Sequence, residues 1–351
     1  MIPGYLWWWF DPVYWGTMTF GYILMFVLAA TVAPKVANKL SGRFSLYVSM
    51  ALLAVVLVSI TAGAIWAALY LLGIAGVYEI PFIIGFVLIL NIFTYFISPF
   101  IINLSYGAKP DPELQSIVDS VASRLGVEGR IKAVLVGGPP NAFSYGNFLT
   151  GKYVAVSRSL YNMLSRDELE AVVGHELGHH KHHDNLVMLL LGLFPSVVYF
   201  LGYSMIWQGI FGGRGERGGG GGGGLFFIVG IALVAVSFIE QLLVLAFSRM
   251  REYYADFAGA LAAGRWSMQK ALAKLHLYYE GREGAQDAVK SSKIKALFIY
   301  AFTSAYANPL YDVTPETVER IKRMKAGGLQ EILSDHPPIP KRLRFLDTVS
   351  V

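Results

Sequence analysis

The chain of 351 residues has no cysteine. Disulfides are excluded, and so are thiolate metal ligands, so any metal site must be built from histidine and carboxylate. Charge is scarce too. Asp, Glu, Lys and Arg make up 15% of the residues against 55% hydrophobic ones, and mean hydropathy is +0.50. That balance excludes an ordinary water-soluble globule and fits a chain that crosses a bilayer several times. There is no basic tract with interleaved aromatics, so the net charge of +5 is assigned to loops beside a membrane, and no nucleic-acid partner is expected. No basic segment precedes the first apolar run, which argues against a cleaved secretion signal. Trp7-Trp8-Trp9 suits a membrane interface and a loosely ordered terminus equally well.

Apolar runs long enough to span a bilayer occur at Tyr14–Ala33, Leu46–Ile74, Ile80–Leu104, Asn185–Phe211 and Leu225–Phe247. The link after the first carries Lys35, Lys39 and Arg43, whereas the link after the second carries only Glu79. By the positive-inside rule the first link is cytoplasmic, the N-terminus external, and the chain re-enters the cytoplasm after Leu104. Gly212–Gly224 reads as a flexible loop with no phosphate role, because no strand feeds it and no Gly-Lys-Ser/Thr follows. Glu240 interrupts the fifth run. An acid within a span is a functional candidate, but its place near the cytoplasmic end favours an interfacial or helix-packing role.

Between the third and fourth runs the composition is that of a water-exposed domain. Asp111-Pro112 starts a helix that Gly126 can end. Ile131–Val136 reads as a strand, and Ala142–Leu149 with Lys152–Ser157 as a hairpin around Thr150-Gly151. Ser165 and Glu168 form a capping box that opens the next helix. The expected organisation is an N-terminal membrane region (1–107), a first catalytic part (108–184), a membrane pair (185–247) and a second catalytic part (248–351).

The capped helix carries His175-Glu176-Leu177-Gly178-His179. Histidines four apart share a helical face and can hold one zinc ion, with Glu176 as general base on its water. A catalytic zinc takes a third protein ligand. Glu252 is the best candidate, and Asp256, one turn on, can accept from the non-ligating nitrogen of a zinc histidine. The competing reading of this stretch is a salt-bridged charged face. His183, four after His179, is not a third ligand. On a straight helix it would lie roughly 12 Å along the axis from His175, beyond one zinc with bonds of about 2 Å. His182 and His183 are expected at the membrane interface.

These residues, with Asn141-Ala142-Phe143 upstream and His336-Pro337-Pro338 downstream, make the chain resemble the HtpX-type membrane-bound zinc endopeptidases, relatives of the type I CAAX prenyl proteases. The resemblance runs from about Asp111 to the C-terminus. It departs at the N-terminus, where three runs precede the catalytic region instead of the usual two. It implies a predominantly α-helical multi-pass membrane protein with a zincin-like α+β catalytic domain containing a small β-sheet. It also implies Zn2+ on His175, His179 and Glu252, catalysis by Glu176, and His336 as a hydrogen-bond donor to the oxyanion. Asn141 would bind substrate backbone beside an edge strand, and Arg342 would support the site or a nearby acid. His336 and Asn141 also read as plain turn residues beside prolines. The expected substrates are membrane or unfolded proteins, cleaved at the cytoplasmic face of the cell membrane in protein quality control.

Three rivals remain. A CAAX prenyl-type processing protease shares the catalytic segments, but its group is longer and has more spans. An intramembrane protease of the site-2 type would carry the motif within an apolar run. Here Arg166-Asp167-Glu168 and Lys181-His182-His183-Asp184 flank it. A non-enzymatic membrane scaffold would have no need of Glu176 beside a complete ligand set.

Overall fold

The computed structural model describes residues 43–71, 79–211, 222–280, 313–325 and 336–350. The run Tyr14–Ala33, the tryptophan cluster, most of the glycine loop and the polar stretch 281–293 lie outside the described residues. Two compact units divide the chain: one ends at Val87 and resumes over Leu191–Leu243, and the other comprises Leu88–Leu190 and the chain from Val244 onward.

The first unit is helical. It contains α1 (Arg43–Leu71), the start of α2 (Glu79–Tyr106), most of α6 (Asp184–Phe211) and the first half of α7 (Gly222–Ala263). Each of these four helices holds a stretch long and apolar enough to cross a membrane. They coincide with the second to fifth apolar runs. Helices α6 and α7 approach through glycine: a Cβ on Gly202 would come within 2.8 Å of the Gly230 carbonyl oxygen and 2.9 Å of Leu233 Cβ. Small residues of this kind let spans pack closely where water supplies no driving force. Glu240 is fully buried, and its Oε1 accepts a 2.7 Å hydrogen bond from Thr61 Oγ1. The acid therefore joins α7 to α1, which is the helix-packing role.

The second unit is built on a four-stranded mixed sheet in the order β1-β2-β4-β3. Its strands are β1 (Lys109–Pro110), β2 (Ile131–Val136), β3 (Ala142–Asn147) and β4 (Gly151–Ser157). β2 runs parallel to β4, and β3 pairs antiparallel with β4, Ala142 opposite Val156 and Asn147 opposite Gly151. Side chains alternate across the sheet. Ile131, Ala133, Leu135, Val154 and Val156 point into one core with α3 (Pro112–Leu125) and α5 (Arg166–Lys181). Val134, Val136, Tyr145 and Ala155 point the other way, against Ile102 and Tyr106 of α2. The short α4 (Arg158–Met163) connects β4 to α5.

The expected local signals hold. Asp111 caps α3 through Leu114 N–H, and Gly126 ends it in the left-handed region at φ 62. Ser165 and Glu168 make both bonds of the capping box on α5. The buried Glu168 is also an acceptor for Lys274 Nζ at 2.6 Å, which ties the start of α5 to α8 (Arg265–Glu280). A second core gathers Met268, Leu272, Val318, Ile321, Leu343 and Leu346, closing α9 (Pro315–Lys322) and α10 (Ile339–Asp347) over α8. Helix α7 runs 42 residues without a break, about 63 Å. The apolar run and the segment carrying Glu252 and Asp256 therefore belong to one helix.

Candidate metal centre

Helices α5 and α7 touch along a seam of small residues. A Cβ on Gly178 would lie 2.9 Å from Ala258 Cβ, and one on Gly259 would lie 2.6 Å from the Ala171 carbonyl oxygen and 3.4 Å from His175 N. Gly174 faces Ala262 with no room for a side chain. This approach carries the carboxylate of Glu252 across to the two histidines. Nε2 of His175 is 3.5 Å from Glu252 Oε2, and Nε2 of His179 is 3.3 Å from Glu252 Oε1. Ligand atoms about 2 Å from a tetrahedral zinc are separated by about 3.3 Å. One ligand atom from each of the three residues lies within 4.8 Å of the others, close enough for the group to hold a metal ion.

The opposite nitrogens are engaged as well. Nδ1 of His175 lies 3.1 Å from Asp256 Oδ1, and Nδ1 of His179 lies 2.6 Å from Asp184 Oδ2. A carboxylate at each Nδ1 holds the proton there and leaves the Nε2 lone pair free for a metal. Arg342 fixes Asp256 through both its Nε, at 2.8 Å, and its NH2. Arg251 pairs with Asp184.

The electrostatics follow from this crowding. Burial works to lower the basicity of both histidines, but the hydrogen bonds to Asp256 and Glu252 at His175, and to Glu252 at His179, raise it above the ordinary value. Burial pushes Glu252 up, while His336 and the hydrogen-bonding histidines hold its carboxyl well below the usual range. Asp256, raised by burial, is brought below its usual value by Arg342. A buried, ionised carboxylate among nitrogen donors is a setting that favours a cation.

A cleft of about 230 Å³ opens onto these groups, lined by Asn141, Ala142, Phe143, Ser144, Val172, His175, Glu176, His179, Glu252, His336 and Arg342. Glu176 is buried and lines this cleft with the two histidines. Asn141 is bonded at both backbone groups, its N–H to Ser157 Oγ at 2.9 Å and its C=O to Ser157 N–H at 2.8 Å. That fixes the start of β3 at the cleft wall. Nδ1 of His336 lies 2.6 Å from Glu252 Oε2, so this histidine reaches the centre itself.

Against this geometry the comparisons with known proteins are decisive. The profile of peptidase family M48 matches residues 108–350. The "Protease HtpX homolog" of Pyrobaculum aerophilum is 55% identical over 342 residues, covering 96% of this chain and 98% of the relative. That of Archaeoglobus fulgidus is 53% identical over 344 residues, covering 97% and 98%. The chain belongs to peptidase family M48. Among solved structures, the crystal structure of S. mikatae Ste24p is similar with a TM-score of 0.52 at 19% identity, covering 87% of this chain and 67% of that one. That likeness concerns the fold. The M48 chain is thus a multi-pass membrane metalloprotease, and the identity to the HtpX homologues extends well beyond the catalytic segments.

All the ligand candidates and Asp256 meet at one centre. Two features went unread in the sequence. Asp184 is one: the chain turns at His183, whose φ is 54, and brings the first residue of α6 back to His179. The same turn keeps His183 off the line of α5. The glycine–alanine seam is the other, and its signal was present as Gly174-x-x-x-Gly178 facing Ala255, Ala258, Gly259 and Ala262. His180 and His182 have structural partners. His180 is buried against the Tyr153 carbonyl at 2.8 Å, and burial pushes its imidazole down to about 4. The ring of His182 lies 5.5 Å from that of Tyr254.

Proposed function

We propose that the chain is a zinc endopeptidase that cleaves membrane or unfolded polypeptides at the cytoplasmic face of the cell membrane, in the service of protein quality control. The observation that carries this reading is the paired geometry of the two histidines. Each turns Nε2 toward Glu252 while a carboxylate holds its Nδ1. Residues 108–184 and 248–351 would supply the catalytic parts, and 1–107 and 185–247 the membrane parts.

His175, His179 and Glu252 would hold the ion. Bound zinc would polarise the scissile carbonyl and acidify a water to a pKa of about 7. Glu176, buried in the wall of the same cleft, would serve as the general base and then carry the proton to the leaving amine. His336, at the same cleft, donates to the oxygen that gains charge. β3 lies at the edge of the sheet, and its first residues line the cleft beside Asn141. An extended substrate added to that edge would pass Glu176 with its backbone hydrogen-bonded. Lys35, Lys39 and Arg43 in the first link support the cytoplasmic orientation.

The test is metal analysis together with proteolysis. Wild type should hold about one zinc per chain and cleave an unfolded or membrane-protein substrate in detergent. Glu176→Gln should keep the zinc and lose cleavage. Undiminished cleavage by that variant overturns the mechanism.

A further inference from the structure

Helix α2 contains Pro99. Proline has no N–H, so the carbonyl of Tyr95, four residues earlier, loses its helical partner. In a span that loss must be made good by the protein itself, because hydrocarbon offers no donor. The donor comes from the sheet. Nδ2 of Asn147 bonds the Tyr95 carbonyl at 3.0 Å and the Phe96 carbonyl at 3.2 Å, supplementing Ser98 Oγ at 3.1 Å from Tyr95 O. The other end of the same side chain builds the β3–β4 turn. Asn147 Oδ1 accepts from Leu149 N–H at 3.0 Å, Thr150 N–H at 2.9 Å and Thr150 Oγ1 at 3.1 Å. One buried amide thus shapes the hairpin tip and docks it on the helix.

The docking point lies within the membrane-crossing part of α2. Counted from Glu79, Tyr95 lies about 24 Å along the axis at 1.5 Å per residue, inside the roughly 30 Å of a hydrocarbon core. Tyr95 and Phe96, the two carbonyls that Asn147 bonds, both belong to the apolar stretch Val87–Tyr106. The helix surface around them is outward-facing and apolar, with Phe93 and Phe100 each 62% exposed. At that level the hairpin presents Phe148 and Leu149, 77% and 70% exposed. The Phe148 ring meets that of Phe96 edge-on at 4.9 Å between centroids. Immediately behind the tip sits a cation: Lys132 Nζ bonds the Thr150 carbonyl at 3.0 Å and lies 4.8 Å from the centre of the Tyr153 ring. An apolar tip backed by lysine and tyrosine is the pattern of a segment seated at the headgroup–acyl boundary.

We infer that the β3–β4 tip is a lipid-inserted anchor, with Phe148 and Leu149 entering the acyl region and Lys132 at the phosphates of the headgroups. β3 runs from this tip to the cleft at Ala142, about 17 Å at 3.4 Å per residue. Its outer edge therefore links the bilayer to Glu176. A chain laid on that edge arrives from the membrane surface.

The absence of cysteine makes the test direct. Phe148→Cys gives the full chain a single thiol, which is spin-labelled and studied in liposomes of mixed neutral and anionic phospholipid. Phe93→Cys serves as a lipid-facing reference and Ser123→Cys, on the exposed face of α3, as a water-facing one. The label at 148 is expected to match the one at 93, with collision by oxygen several-fold above collision by an aqueous nickel complex. Leu149→Cys reads the same surface independently. A label at both positions that behaves like the one at 123, or that neither probe reaches because protein covers the tip, overturns the anchor. Asn147→Asp retains the turn acceptors and loses the donor to Tyr95. It should shift the 148 label toward the nickel complex, and a 148 label unmoved in that variant removes the docking bond from the account.

Discussion

The carboxylate of Asp184 lies 2.6 Å from Nδ1 of His179 and is paired on its other side with Arg251, the neighbour in sequence of Glu252. The first residue of α6 therefore orients one candidate ligand on α5 and holds the helix that presents another. An acid at a helix start is favoured by the helix dipole as well, so the contact suits both the helix and the histidine. Asp184→Ala should weaken zinc affinity about 10- to 100-fold, the usual effect of losing a carboxylate behind a metal histidine. Competition against a chromophoric chelator measures it. Asp256→Ala should behave alike at His175. Affinity unchanged in both variants would show that the imidazoles need no such support.

The close approach of α5 and α7 gives a second prediction. Gly178→Ala places a methyl where Ala258 Cβ already sits, at 2.9 Å, and forces the helices apart. Misplaced or overpacked contacts of this kind cost about 1–3 kcal/mol. Zinc content and thermal stability should both fall although no ligand is altered. Ala258→Gly removes the opposing methyl and should restore both in the double variant. If the double variant is no better than the single one, the defect lies outside the seam.

Much of this centre was legible from spacing alone. His175, Glu176 and His179 obey helical periodicity, and Glu252 and Asp256 repeat it at one turn, so each pair was fixed by local geometry. Ser165 and Asp111 announced their helices because caps are short-range chemistry, and each makes its bond. What could not be read depends on where the chain goes after a helix stops. Asp184 reaches His179 only because His183 turns the backbone at positive φ, a conformation uncommon for any residue but glycine. Asn147 meets Tyr95 across 52 positions, and only the docking of a hairpin on a span reveals the carbonyl that Pro99 leaves open. The unbroken passage of α7 from apolar run to ligand segment was similarly hidden, since composition changes at Ser248 and helicity does not.

The pair Thr61–Glu240 makes a prediction for the membrane part. Thr61→Val conserves shape and removes the donor to Glu240 Oε1. Hydrogen bonds between spans contribute about 0.6 kcal/mol on average and at most about 1.7. An acid with no other partner at Oε2 among the described residues places this one at the upper end. Unfolding in mixed detergent should show a loss near that size, with zinc content unchanged. A variant of wild-type stability would mean that Glu240 finds equal company elsewhere.

His336 and Arg342 bracket the start of α10 and grip α7 at successive turns, His336 at Glu252 and Arg342 at Asp256. Two roles for the histidine follow, and kinetics separates them. As a donor to the developing oxyanion it acts only in the transition state. His336→Phe should then lower kcat about 10²- to 10³-fold, the range for loss of one such donor, with KM and zinc affinity nearly unchanged. As a brace for the ligand carboxylate it would act on the resting centre, and the same variant would lose zinc. The 2.6 Å contact with Glu252 Oε2 allows the second role. The position of His336 in the wall of the cleft that Glu176 also lines favours the first, because a brace needs no access to substrate. Full zinc occupancy with depressed kcat assigns the donor role, and loss of zinc at ordinary ligand concentrations withdraws it.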